Sequence, residues 1–481
     1  MAVLSALEPK KVFEYFEKLC SVPHGSGNTK QISDLCVGFA KELGLSYRQD
    51  ASNNLIIWKA GTPGYEEDTP VILQGHMDMV CAKTEDCEKD MTKEGLDLDT
   101  DGEWIWAKKT SLGADNGIAV AMILAILADD TLAHPPLEAV FTVDEETGMD
   151  GAAALDCSDL KGQLLLNLDS EEEGVFTVSC AGGLRLDGLL PCRMEPLTGE
   201  TGYAVTISGL QGGHSGGEIH TGRASANQLA GRVLYSALER IPGLRAAGFQ
   251  GGRFDNVICP WNQVKAAVPA GQETAFEDFI REFDAVLKNE YAGCDAGVTL
   301  SCEKTALEGA LSGEDTLRIL RTLVALPQGV QAMSTDFPGL VQTSLNLGVM
   351  RMEETGLHIT LSIRSCIASQ KEMVCQRVKA ILAMGGGTST VHGDYPGWQY
   401  AKESTMRERL LAVYRELSGK EGVIDATHGG LECGLFIEKI PGLDAVSLGA
   451  DLQDIHSPRE RLSVPSTERV YRLVCEFLRR R

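Results

Sequence analysis

The chain has 481 residues, 43% hydrophobic and 23% charged, which is enough core material for two or more domains. Its 44 basic and 68 acidic side chains leave a net charge of −24, a surface that repels phosphate backbones and anionic lipid and so argues against nucleic-acid or membrane partners. The 14 cysteines are scattered with no C-x-x-C pair, as for free thiols in a reducing cytoplasm, and no run of about 18 apolar residues is present to span a membrane.

The opening stretch MAVLSALEPKKVFEYFEKLC lacks the apolar core of a signal peptide, and its apolar spacing predicts an amphipathic helix over 9–20. A second helix is predicted over 29–43. PVILQGHMDMV (70–80) reads as a buried strand and GADNGIAVAMILAILADD (113–130) as a helix that opens on Gly-Ala-Asp-Asn-Gly. LEAVFTVDEETG (137–148) and GQLLLNLDSEEEG (162–174) read as two more buried strands that end in acids. Strands alternating with helices point to an α/β sheet with mainly parallel strands.

The middle of the chain has a different texture. GYAVTISGLQGG (202–213), QTSLNLGVMRME (342–353) and GLHITLSIRSC (356–366) alternate apolar and polar residues, as half-exposed antiparallel strands do. Helices are predicted among them at about 225–240, 273–289, 314–325 and 370–384. The α/β texture returns with a helix over about 405–418, the segments VIDATHGG and AVSLGADLQDIHSPRE, and a last helix over 466–480. The borders of the inserted region are placed near 187 and 395, and its length has room for two similar lobes.

Five short motifs carry the chemistry: QGHMD, GADNG, DEETG, NLDSEEEG and DIHSPRER, each at or just after a predicted strand end or at a helix start. They supply His76, Asp115, Glu146, Asp169 and His456. Two imidazoles and three carboxylates can hold two divalent cations side by side if one carboxylate is shared, and such a pair activates water and polarises a carbonyl. Asp78 lies two residues beyond His76, on the same strand face, where it can accept the ring N–H of a ligating imidazole. Glu145 and Glu146 are adjacent and reach one site only where their strand ends; the pair divides into one ligand and one free base. Glu171, Glu172 and Glu173 read as a solvated run. Taken singly each motif is ordinary, Asp115 for instance being a common kind of helix cap; the set, in this order, reads as a two-metal hydrolase.

GHMDMV, LGADNG, DEETG, NLDSEE and DIHSP, with GGHSGGEIHTGRASA, HGGLECGLF and SVPHGSGN, resemble the cytosolic Xaa-His (aminoacyl-histidine) dipeptidases nearly end to end. These belong to the co-catalytic metallopeptidases that also include carnosinases and aminoacylases. Two departures stand out: His24 takes the place of a usual Arg, and Ser225 that of a usual Asn. The resemblance implies that Asp115 bridges two divalent ions, zinc foremost and manganese or cobalt otherwise, with His76 and Asp169 on one and Glu146 and His456 on the other. It implies Glu145 as general base and then acid, Asp78 orienting His76, and a cis peptide after Asp115. His214 would polarise the scissile carbonyl, Arg364 would pair with the substrate's C-terminal carboxylate, Asn256 would assist, and Glu432 would receive the substrate ammonium. His220, His428 and Arg459 receive no role.

The expected fold is therefore α/β: a mainly parallel, zinc-exopeptidase-like catalytic domain (1–186 and 396–481) interrupted by an α+β lid domain with an antiparallel sheet (187–395). The expected activity is hydrolysis of small dipeptides such as Xaa-His and β-Ala-His in the cytoplasm. The alternatives are an N-acyl amino acid amidohydrolase and a non-catalytic metal-binding protein. A homodimer is compatible with the sequence, with His214 serving its own site or a partner's.

Overall fold

The structure, a computed structural model, describes residues 3–480; the ends of the first and last predicted segments, at 1, 2 and 481, lie outside the described residues. The chain forms two compact units. The first is Met1–Ser179 with Tyr400–Ala426 and Leu431–Arg481; the second is Cys180–Gln399 with Thr427–Gly430. Among the described residues no helix is long and apolar enough to cross a membrane.

The first unit is built on an eight-stranded sheet. At its centre Leu137–Thr142, Val71–His76, Leu164–Asn167 and Asp444–Ser447 lie side by side, all parallel. The first two are buried along their whole length, which is why they read as unbroken apolar runs. Ser46–Gln49 and Leu55–Lys59 extend one side by antiparallel pairing; on the other, Val175–Cys180 meets Asp444–Ser447 antiparallel, with Val423–Thr427 beyond it. The helix Ala114–Leu127 packs on Val71–His76 and is covered by the helix Lys10–Cys20. Enclosed on both sides, it is apolar all round. Because the four central strands run the same way, His76, the turn after Thr142 and the turn after Asn167 come to one edge of the sheet. His456 arrives by another route. Leu452–Gln453 pairs with Arg461–Ser463, which pairs with Trp104–Ala107, and this small four-stranded sheet holds the connecting loop that carries the histidine.

The second unit is a nine-stranded antiparallel sheet with helices Ala226–Arg240, Glu273–Glu290, Gly313–Ala325 and Ala368–Met384. One half of the sheet comprises Thr299–Lys304, Thr201–Ser208, Asn262–Val268 and Arg245–Gly251. The other runs through Val341–Glu353, Gly356–Ser365, Gly182–Pro191 and Thr388–Tyr395, with Gly329–Met333 on Val341–Glu353. Strand pairing joins the halves where Gln250 and Gly251 face Arg351 and Met350. The border placed near 187 falls inside the strand Gly182–Pro191, all of which pairs with Gly356–Ser365. That strand alternates buried and exposed positions, so composition alone does not mark where the parallel sheet is left behind.

Candidate active site

His76 is the last residue of a buried strand, and its backbone N–H donates to Asn116 Oδ1 at 3.2 Å. Its ring Nδ1 donates to the Asp78 carbonyl oxygen at 3.0 Å and lies 3.4 Å from Asp78 Oδ1. That fixes the tautomer and turns Nε2 toward Asp115 Oδ1 (3.2 Å) and Asp169 Oδ1 (3.4 Å). His456 repeats the pattern: its Nε2 lies 3.1 Å from Asp115 Oδ2 and 3.0 Å from Glu146 Oε2. Asp115 thus offers one oxygen to each imidazole. The Asp115–Asn116 peptide is cis, as the resemblance implies.

The Asp78 carboxylate has more partners than the sequence reading gave it. It accepts the Ser26 hydroxyl at 2.8 Å and the backbone N–H groups of Glu145 (3.2 Å) and Glu146 (3.4 Å). It therefore ties the strand end of His76 to the turn that carries both acids. Burial pushes the Glu145 carboxyl well above the usual range; His76 pulls it down, and Asp169, Glu432 and Glu146 add to the rise. His456 is pushed up to about 10 by its hydrogen bonds to Asp115 and Glu146. Burial disfavours a charged His76, but Asp169 and Asp115 outweigh it and raise this imidazole well above its usual value.

These donors fit divalent ions. His76, Asp115 and Glu146 each offer a ligand atom, all within 4.8 Å of one another. Ligand atoms about 2.0–2.2 Å from a tetrahedral zinc stand roughly 3.3–3.6 Å apart, close to the spacings around each imidazole here. Glu146 Oε1 is buried with no hydrogen-bond partner, an oxygen that a cation would satisfy.

In the second unit, His214 pairs with Val257, and the Asn256 carbonyl accepts the Ser215 N–H at 2.8 Å, so His214 and Asn256 sit on two joined segments. His214 Nδ1 accepts the Gly217 N–H at 3.1 Å, which leaves the ring proton on Nε2 as a donor. Burial, then Arg364, lowers its pKa. Arg364 donates to Tyr395 Oη at 3.3 Å, while its buried Nε has no partner. His428 bonds Ser344 Oγ at 2.7 Å and is pushed down to about 3, by burial first and by Arg364 second.

Residues 72–480 match the profile described as Peptidase family M20/M25/M40. The chain belongs to this family. Over its full length, and 99% of the relative's, it is 38% identical to the "Cytosol non-specific dipeptidase" of Escherichia coli (strain K12). It is also similar to the solved structure of the aminoacylhistidine dipeptidase from Vibrio alginolyticus, with a TM-score of 0.91 and 36% identity over 99% of this chain and 97% of that one. An aminopeptidase from Bacillus cereus shares the fold at a TM-score of 0.56 and 15% identity, over 98% of both chains.

Two acids of this M20 member are held more tightly than the sequence conveys. Glu432 has no exposed surface; Oε2 accepts from Gln74 Nε2 (2.5 Å) and Thr142 Oγ1 (2.7 Å) and so braces the strand ends, while Oε1 is buried without a hydrogen-bond partner. Glu173 is not part of a solvated run, since it pairs with Arg469 at 2.6 Å. Others went unread. Asn116 donates to the Leu168 carbonyl at 2.7 Å as well as accepting from His76, and Asn in a Gly-rich helix start looks like any cap. Glu460 is 2% exposed and accepts backbone N–H groups from residues 112–115. Its neighbours Arg459 and Arg461 make it look like surface charge.

Proposed function

We propose that this protein is a metal-dependent dipeptidase, acting in the cytoplasm on small dipeptides that include Xaa-His and β-Ala-His. The observation that carries the reading is the pair of imidazoles meeting the two oxygens of Asp115 in a chain 38% identical, end to end, to a dipeptidase. His76, Asp115 and Asp169 would hold one divalent ion and His456, Asp115 and Glu146 a second, with zinc, manganese or cobalt all suited to these donors. Such a pair supplies Lewis acidity at the scissile carbonyl and water that ionises near neutral pH.

Glu145 takes the proton from the attacking water and passes it to the leaving amine. Asp78 keeps the Nδ1 side of His76 occupied, so the Nε2 lone pair stays available. From the second unit, the Nε2–H of His214 is assigned to the carbonyl oxygen as its charge grows. Arg364, with donors unspent, is assigned to the substrate's C-terminal carboxylate, with Asn256 assisting. Glu432, whose Oε1 is buried without a partner, is assigned to the substrate ammonium.

The test is a panel of Xaa-His, Gly-Gly and N-acetyl amino acids, run after chelation and again with zinc or manganese restored. Metal-dependent cleavage of the dipeptides alone supports the proposal. Cleavage of the acylated compounds alone would move the chain to the amidohydrolases, and silence on all of them would leave a metal-binding protein. Glu145→Ala should lower kcat by about 10²–10⁴-fold with metal content near two per chain; loss of metal instead would remove the base role.

A further inference from the structure

Four consecutive backbone N–H groups at the head of the Asp115 helix point at one side chain. Glu460 Oε2 accepts from Leu112 (2.7 Å) and Gly113 (3.0 Å), and Oε1 accepts from Ala114 (2.8 Å) and Asp115 (3.3 Å). Gly113 makes the turn possible with φ +66°, and a Cβ there would meet Met79 Sδ at 2.7 Å. Successive N–H groups curled this way form an anion-binding concavity, of the kind that elsewhere takes a phosphate. Here the chain's own carboxylate fills it. Glu460 lies four residues after His456, on the loop closed by the pairing of Leu452–Gln453 with Arg461–Ser463. One carboxylate therefore joins the segment of Asp115 to the segment of His456, and Asn116 joins the other side of Asp115 to His76 and Leu168.

We propose that Glu460 is a positioning residue for the shared metal ligand: by clamping residues 112–115 it sets both Asp115 oxygens toward the two imidazoles. This rests on the two-ion site proposed above. A capping role alone would account for stability but would not require that the anion come from the loop bearing His456.

Glu460→Gln separates the two. The amide keeps one acceptor oxygen and turns an NH2 toward two N–H donors. The readouts are the metal dissociation constants, from chelator competition, and the urea midpoint of the metal-free protein. Partners that orient ligands typically change affinity by about 10–100-fold when removed, and a loss of that size is expected for both ions together, since Asp115 is common to them. Glu138→Gln is the matched control: it is a buried carboxylate on the backbone N–H groups of Lys161 and Gly162, at the start of a strand whose far end leads to Glu145. It should lower the urea midpoint and leave metal affinity unchanged. Wild-type affinity in folded Glu460→Gln, or an equal loss in Glu138→Gln, overturns the proposal. If Glu460→Gln does not fold, Glu460→Asp is read the same way, with a smaller loss expected. Linkage gives a reading on the wild type as well: metal must slow amide exchange at Leu112, Gly113 and Ala114, and exchange indifferent to metal overturns the proposal. Failure of wild type to bind two ions would instead remove the site itself.

Discussion

Replacing Asp78 by Asn subtracts a charge and one acceptor oxygen from a carboxylate that three donors share and that His76 lies against. Oδ2 serves Ser26 (2.8 Å) and the Glu146 N–H (3.4 Å); Oδ1 serves the Glu145 N–H (3.2 Å) and stands 3.4 Å from His76 Nδ1. The new NH2 belongs on the Oδ2 side, because the Ser26 hydroxyl can reverse and accept. That strands one long-bonded backbone donor, worth about 1–3 kcal/mol of stability. His76 keeps the Asp78 carbonyl as a partner for Nδ1, so its tautomer survives, but it loses the negative charge that strengthens its Nε2 as a donor. The expected result is a metal dissociation constant raised about 10–100-fold. At saturating metal kcat should fall too, because the turn that carries Glu145 loses an anchor, but by less than in Glu145→Ala. Chelator competition and dipeptide hydrolysis across a metal titration measure both. Wild-type affinity together with wild-type kcat would refute the idea that this carboxylate serves the site and would leave it a core hydrogen bond.

Metal loading should release protons, because His456 is held charged up to about 10 in the metal-free site and must be neutral to bind. Apparent affinity should therefore rise with pH between 7 and 9, and the calorimetric enthalpy of binding should depend on the buffer; buffer-independent heats would contradict this. His428 titrates near 3 when folded against an ordinary value of about 6.5, so its contribution to stability is complete above pH 6.5 and is lost as pH falls toward 3. The full loss is about 5 kcal/mol, from about 3.5 units at 1.36 kcal/mol each. The urea midpoint of His428→Asn should accordingly fall less steeply than that of wild type between pH 6.5 and 4, and parallel slopes would contradict it. In Gly75→Ala the new Cβ would lie 2.5 Å from Asn116 Oδ1 and 3.0 Å from Ala119 Cβ, which forces Asn116 from His76 and Leu168. A cost of about 1–3 kcal/mol and weaker metal binding are expected, by urea denaturation and chelator competition; an unchanged protein would show that the helix yields.

The central strands were legible because burial on both faces writes a continuous apolar run, as in VIL before QGH and LEAVF before TVDE. The helix after GADNG was legible for the same reason. Chemistry at strand ends followed from one rule of open α/β sheets. The strands Ser46–Gln49 and Leu98–Thr100 went unseen, since three or four partly exposed residues carry no period. Glu173 was misjudged and Glu460 passed over because periodicity reports which face is apolar, not which partner waits hundreds of residues away. The carboxylate of Glu460 and the N–H of Leu112 are 348 residues apart.

The strand Asp444–Ser447 does not sit at an edge; it lies between Leu164–Asn167 and Val175–Cys180. Nearly all of the second unit, Cys180–Gln399, leaves the ribosome before that strand exists. At about 5–20 residues per second, roughly 20–80 s separate the synthesis of His76 from that of Glu460. Throughout that interval the nascent chain has a gap in its main sheet, Asp115 without its clamp, and no second imidazole. A peptide hydrolase wired in this way brings the last pieces of its sheet and of its proposed site together only when synthesis is nearly done.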